Sequence, residues 1–155
     1  MTLSFWQKLL SKTFLFLKGT IQRQTIGARG ILIDGNKVLL IRHSYLPTWQ
    51  FPGGGVDVGE TFENTMRREV LEETGYQVNG EAELYGMFHN VEATNRDHLA
   101  IYIVRDFEIA HQFKASREIV DMQWFDVNDL PDNIARSAKA RVDEIFNGVA
   151  KDLKW

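Results

Sequence analysis

Cysteine is absent from this sequence. That excludes a disulfide framework, thiolate catalysis and every zinc site that needs sulfur. The four histidines, His43, His89, His98 and His111, show no helical ligand spacing, so they do not suggest a zinc site either. No serine sits in a nucleophile-elbow signature. No stretch approaches the roughly 20 apolar residues that a bilayer-spanning helix needs. Repeats and low-complexity tracts are missing too. Charge of one sign is not abundant: 18 basic against 21 acidic residues give a net charge of −3. Such a balance does not recommend the chain as a binder of nucleic acid polymers.

What remains is ordinary in size and rich in core-forming residues. The 155 residues are 44 % hydrophobic and 12 % aromatic, enough for one domain with a proper core. Charge is unevenly placed. Between Asp57 and Glu73 lie six acids (Asp57, Glu60, Glu63, Glu69, Glu72, Glu73) against Arg67 and Arg68, whereas residues 1–29 carry five basic groups and no acid. Residues 1–20 read as an amphipathic helix, with Phe5, Trp6, Leu9, Leu10, Phe14 and Leu17 at helical spacing and Lys8, Lys12 and Lys18 among the polar positions. Without an early basic region or a small-residue cleavage site it does not read as a signal peptide. It suits packing on its own domain or on a twin subunit in a homodimer. Reversible contact with an anionic membrane surface is the alternative.

Residues 21–155 read as a single domain. Ile31–Ile33 and Val38–Ile41 flank Asp34-Gly35-Asn36, a hairpin signal. Trp49–Phe51 suggests a short strand before a glycine-rich loop, and further strands are expected at Glu83–Phe88, Leu99–Phe107 and Met122–Val127. Leu99–Val104, apolar on both faces, belongs centrally in the sheet. Residues 61–74 predict a helix, with Thr61 as N-cap and Gly75 just past its end. A last helix is expected over about 133–153, burying Ile134, Val142, Ile145, Phe146 and Val149. Strands with isolated helices imply one mixed sheet covered by helices.

The chemistry concentrates on helix 61–74. At about 100° per residue, Glu69, Glu72 and Glu73 share an arc of roughly 100°. Phe62, Met66 and Val70 form an apolar row beside it. Three carboxylates on adjacent turns repel by a few tenths of a kcal/mol per pair. A divalent cation removes that conflict, and hard oxygen donors select Mg²⁺, Mn²⁺ or Ca²⁺. Gly53-Gly54-Gly55 lets the backbone approach closely. Gly54 to Gly59 has P-loop spacing, yet Glu60 stands where such a loop needs lysine, so any phosphate must be held through metal.

Gly54, five residues, Glu60, seven residues, then Arg68-Glu69-Val70-Leu71-Glu72-Glu73-Thr74-Gly75-Tyr76 resembles the signature box of Nudix (MutT-like) hydrolases. Seven fixed residues agree; at about 7 % usage each, chance agreement is on the order of 10⁻⁸ per register. The flanks are similar as well: Leu-Leu-Ile-Arg before the box, Trp-Gln-Phe-Pro-Gly-Gly-Gly at its entry, and Trp124-Phe125 followed by Leu130-Pro131. Tyr76 departs, at a position where an aliphatic residue is commoner.

The resemblance implies an α/β/α sandwich with a mixed central sheet. It also implies Mg²⁺- or Mn²⁺-dependent hydrolysis of a nucleoside diphosphate linked to another group, in the cytoplasm. Glu72, Glu73 and the Gly54 carbonyl would be metal ligands, Glu69 a ligand or the general base, and Arg68 would orient a carboxylate. Glu60 would tie the loop to the helix. Family members often carry an acid shortly before the Trp-Phe strand; Glu118 has that place as base or ligand, with Asp121 and Glu92 less favoured. Arg42 could contact phosphate, Trp49 and Tyr45 could stack on a base, and His43 and His89 could line the cleft. Subfamily signatures are missing, including the proline about sixteen residues after the box that many ADP-ribose enzymes have. Nucleotide sugar, ADP-ribose-like and triphosphate substrates therefore stay open. A non-catalytic sensor of a nucleotide metabolite is the alternative, which the intact glutamates disfavour.

Overall fold

The computed structural model describes residues 24–91 and 95–155. The amphipathic segment 1–20 and Glu92 lie outside the described residues. The strands are β1 (Thr25–Asp34), β2 (Lys37–His43), β3 (Trp49–Gln50), β4 (Gly53–Gly55), β5 (Tyr76–Val78), β6 (Glu83–His89), β7 (Asp97–Val104), β8 (Phe107–Ile109) and β9 (Ile119–Asp126). Among the described residues two helices join them, α1 (Phe62–Thr74) and α2 (Arg136–Phe146).

The strand order β3-β2-β1-β7-β6, with β4 on β1 and β9 on β2, makes a seven-stranded sheet. Only β1 and β7 run parallel within it, from Thr25 opposite Asp97 to Leu32 opposite Val104. β7 therefore lies between β1 and β6, as its two apolar faces predict. Period-two alternation sends neighbouring side chains to opposite faces. Ala28, Leu32, Leu39, Ala100, Tyr102 and Val104 meet Met66 and Val70 of α1. Ile31, Ile33, Val38, Leu40, Leu99, Ile101 and Ile103 meet Ala138 and Val142 of α2. A mixed sheet with a helix on each face is the α/β/α sandwich expected. Met66 and Val70 are fully buried, each contributing about 1.5–3 kcal/mol.

Helix α1 follows its signals. The Thr61 hydroxyl accepts from the Asn64 N–H at 3.1 Å, and Gly75 ends the helix at φ +79°. The expected strand 99–107 is broken at Arg105-Asp106: β7 stops at Val104, and Phe107–Ile109 leaves the main sheet to pair with β5. The last helix is shorter than the pattern 133–153. It stops at Phe146, where Asn147 caps it and Gly148 turns at φ +67°. Val149 is exposed rather than buried. Residues 147–155 instead run back along β6, where the Leu153 carbonyl accepts from the His89 N–H and Trp155 N–H donates to the His89 carbonyl, both at 2.9 Å.

Candidate active site

The C-terminal half of α1, the glycine strand β4 and the loop before β9 surround a cleft of about 510 Å³. Close backbone approach builds one wall. At Gly54 a Cβ would sit 2.5 Å from Glu69 Oε1, and at Gly53 it would sit 2.2 Å from the Ala28 carbonyl oxygen, so any side chain there displaces the carboxylate or splits β4 from β1. The resulting cleft collects Gly54, Glu69, Glu72, Glu73 and Glu118 with Tyr45, His43, Arg29 and Asp97.

Each carboxylate has its own environment. Glu73 is buried, and its Oε2 accepts from the Gly53 N–H at 2.7 Å. Desolvation pushes its pKa up to about 8, against the pull of that hydrogen bond and with Glu69 adding to the rise. Burial also raises the Glu69 pKa, while Arg68 opposes the shift. Glu72 is the open member, its side chain 60 % exposed.

Arg68 organises the group. Its Nε and Nη2 donate to Glu60 at 2.8 and 3.0 Å; its Nη1 donates to Glu69 at 2.7 Å and to Glu72 at 3.3 Å. Glu60 also accepts from Thr65 Oγ1 and from the Asp57 N–H. The Arg68 hydrogen bonds above all hold its carboxyl down to about 2. Loop and helix are thus tied through one charged junction.

Across the cleft, the Glu118 carbonyl accepts from the Ser44 N–H at 2.8 Å, and Ser116 Oγ accepts from the Glu118 N–H at 3.1 Å. That turn brings Glu118 within electrostatic reach of Glu69, Glu73, His43 and Tyr45. Tyr45 is exposed and lies 5.0 Å from the His43 ring. His43 is buried with Nδ1 unpartnered, and burial, then Arg29, lowers its pKa.

Two expected contacts lie elsewhere. Trp49, only 7 % exposed, packs edge-on against Phe125 in the α2-side core. Arg42 pairs with Asp121 at 3.1 Å and covers the Trp49 ring. Neither lines the cleft, because β2 pairs with β9 at Arg42–Asp121 and spends both charges on each other. His89 also lies outside it, stacked on His98 at 4.9 Å. Arg29, by contrast, carries no motif in the sequence and does line the cleft. Its Nη1 donates to the Phe51 carbonyl at 2.8 Å and its Nε is buried without a partner. The available signal was an arginine between Ala28 and Gly30 in an otherwise apolar central strand.

The donor set fits a hard divalent cation: carboxylates and a carbonyl-bearing glycine loop. Among the described residues no three acid or histidine side chains already converge in ligating geometry. Arg68 holds Glu69 and Glu72 while the Gly53 amide holds Glu73, so a cation would bind in competition with these contacts.

A mixed sheet between two helices, with glutamates gathered around a glycine loop, defines a class of hydrolase. The NUDIX domain model matches residues 23–145. A Methanocaldococcus jannaschii (strain ATCC 43067 / DSM 2661 / JAL-1 / JCM 10045 / NBRC 100440) protein named ADP-ribose pyrophosphatase is 30 % identical over 129 residues, 81 % of this chain and 75 % of that one. A Bacillus subtilis (strain 168) protein whose name proposes 8-oxo-dGTP diphosphatase activity is 28 % identical over 123 residues, 79 % of each chain. The crystal structure of a MutT NUDIX hydrolase from Burkholderia pseudomallei superposes with a TM-score of 0.67 at 22 % identity, covering 79 % of this chain and 98 % of that one. The chain belongs to the NUDIX family, whose hydrolases act on pyrophosphate bonds. Enzymes of this family need divalent metal ions. Among the described residues no helix is long and apolar enough to cross a membrane.

Proposed function

We propose that this chain is a pyrophosphohydrolase, dependent on Mg²⁺ or Mn²⁺, that cleaves a nucleoside diphosphate linked to another group by attack of water on phosphorus. The observation that carries this reading is the gathering of Glu69, Glu72, Glu73 and Glu118 on one cleft beside Gly54. Glu69, Glu72, Glu73 and the Gly54 carbonyl would hold the ion. Once bound, it would neutralise phosphoanhydride charge and acidify water.

The protein's own groups divide the remaining work. Arg68 fixes the rotamers of Glu69 and Glu72 and keeps Glu60 ionised, so the loop stays docked on α1. Gly53 orients the Glu73 carboxylate. Glu118 faces the α1 carboxylates from the opposite wall and has no ion pair of its own among the described contacts, which suits it to take the proton of the attacking water. Glu69 is the second candidate for that role, its proton affinity raised by burial. Tyr45, exposed on the cleft lining, would contact the substrate. The test is phosphate release from dNTPs, ADP-ribose, nucleotide sugars and dinucleoside polyphosphates with Mg²⁺ or Mn²⁺. We expect turnover of at least one class and its abolition by chelator; hydrolysis indifferent to chelator would refute the metal-dependent reading.

A further inference from the structure

Two arginines serve the acidic cleft, and they differ in what they have left to give. Arg68 donates to Glu60 through Nε and Nη2 and to Glu69 and Glu72 through Nη1, so its fork is spent on carboxylates. Arg29 is the only arginine or lysine among the described residues that line the cleft. Its Nη1 donates to the Phe51 carbonyl, while neither Nε nor Nη2 is hydrogen-bonded among the described contacts. A guanidinium has donors and no acceptor. The Nε and Nη2 hydrogens lie side by side on one edge, the edge that pairs bidentately with phosphate or carboxylate. A buried donor left unpaired is a standing cost, and a two-oxygen ligand at that edge removes it.

The edge is also fixed in advance. A Cβ on Gly53 would lie 2.7 Å from Arg29 Cγ, so the glycine strand packs directly on the arginine's stem. The same Gly53 donates its N–H to Glu73. One residue of β4 therefore sets both a carboxylate suited to an ion and the stem of an unspent cation. The Trp155 ring centroid lies 5.9 Å from the guanidinium carbon, within cation–π range. Glu73, Asp97 and Glu69 are within electrostatic reach of Arg29, yet none of them pairs with it among the described contacts.

We propose that Arg29 is a substrate-binding residue of this cleft, its Nε–Nη2 edge taking two oxygens of one phosphoryl group. The inference rests on the pyrophosphohydrolase reading and assigns a task that the glutamates cannot perform. Glu69, Glu72, Glu73, Asp97 and Glu118 all repel a polyphosphate. An ion offsets that repulsion only at the oxygens it touches. A cation already held in place adds a phosphate contact with little loss of side-chain freedom. A contact made alike in the bound substrate and in the transition state is read chiefly in KM. Lysine at the same position keeps the charge but loses the fork.

The test follows the Arg29 Nε–H signal of the intact chain by proton–nitrogen NMR, assigned through the proximity of the side chain to Gly53. Mg²⁺ is added first, then imidodiphosphate, a pyrophosphate analogue whose bridge resists hydrolysis. We expect the signal to stay in place with Mg²⁺ alone and to move downfield with the analogue. Arg29→Lys should weaken inhibition by imidodiphosphate at least tenfold and raise KM for the preferred substrate at least tenfold. The KM effect should exceed that on kcat, with Mg²⁺ affinity within threefold of wild type. The last two readouts separate phosphate binding from a role in merely bracing the glycine strand. The NMR experiment uses the unaltered chain and decides the matter should Arg29→Lys fail to fold. A signal that imidodiphosphate does not move, one that moves fully with Mg²⁺ alone, or a wild-type KM in Arg29→Lys overturns the proposal. A moving Arg29 signal in a chain that turns over no phosphoanhydride would refute the hydrolase reading alone; turnover indifferent to Arg29 would refute the Arg29 assignment alone.

Discussion

Two arginines organise two charged networks on opposite faces of the sheet, and they do so under opposite rules. Arg141 on α2 is 1 % exposed and pairs with Glu144, 3 % exposed, at 2.5 Å. Glu144 also accepts from the Tyr85 hydroxyl and the Asp152 N–H, while Arg141 donates to the Lys154 carbonyl and sits 4.3 Å from the Phe88 ring centroid. One cation meets one anion, and the remaining bonding capacity is nearly all met by neutral groups; only Arg141 Nε lacks a partner. Arg68 on α1 faces Asp57, Glu60, Glu69 and Glu72 together, and Glu73 lies just behind. Its network is short of positive charge by design of the sequence. A buried network without spare charge holds structure; an open one with surplus carboxylate has capacity left for a cation.

The largest effects should come from removing one charge from each network. Glu73→Gln should lower kcat/KM on the order of 10³-fold, the scale of losing a positioned catalytic group or metal ligand. In chelator it should leave thermal stability equal or higher, since an amide escapes the desolvation that the carboxylate suffers. Steady-state kinetics with a melting curve in chelator checks both halves. Arg141→Ala should do the converse. Leaving Glu144 buried and unpaired costs about 3–5 kcal/mol, a fall in Tm on the order of 10 °C at this chain length. At temperatures where the variant is folded, metal affinity should stay within a few-fold of wild type. A strong loss of metal binding there would break the separation of the two networks.

Legibility from sequence follows the same division. Helix α1, its caps and its row of carboxylates were readable because local signals and function coincide on thirteen consecutive residues. The central place of β7 was readable because burial on both faces leaves an unbroken apolar run. The extent of α2 was not, since helical spacing continues through Val149 while Gly148 turns the chain toward β6. Nor was the fate of Trp49. An aromatic beside the box loop suits stacking or core equally, and the pairing of β2 with β9, which buries it beneath Arg42, is a tertiary fact. Arg29 was missed for the reverse reason. Its period-two parity with Ile31 and Ile33 places it on the α2 face, but only the position of Phe51 and Trp155 shows that this end of the face is open.

Smaller in effect is Glu118→Gln, which should reduce kcat at least tenfold with the fold intact, read from kcat and circular dichroism. Near-normal turnover would return the base role to Glu69 and make the cleft one-sided.

The subtlest prediction separates two carboxylates of the open network by pH alone. Glu73 titrates near 8 in the folded chain against 4.5 for an unperturbed glutamate. A carboxyl with a raised folded pKa binds more protons folded than unfolded, so its stabilising contribution is complete below about 4.5 and is lost as pH rises through about 8. Glu60, held down to about 2, behaves oppositely: its contribution is present above 4.5 and lost as pH falls through about 2. The two windows do not overlap. In chelator, the Tm of Glu73→Gln should therefore rise progressively above wild type between pH 5 and 8, with little difference at pH 5. Added Mg²⁺ should erase that gap by raising only the wild-type Tm, since the ion needs the ionised carboxylate. A gap constant across this range would mean that Glu73 ionises like an exposed glutamate, and the contrast between an open network awaiting charge and a closed one would lose its sharpest support.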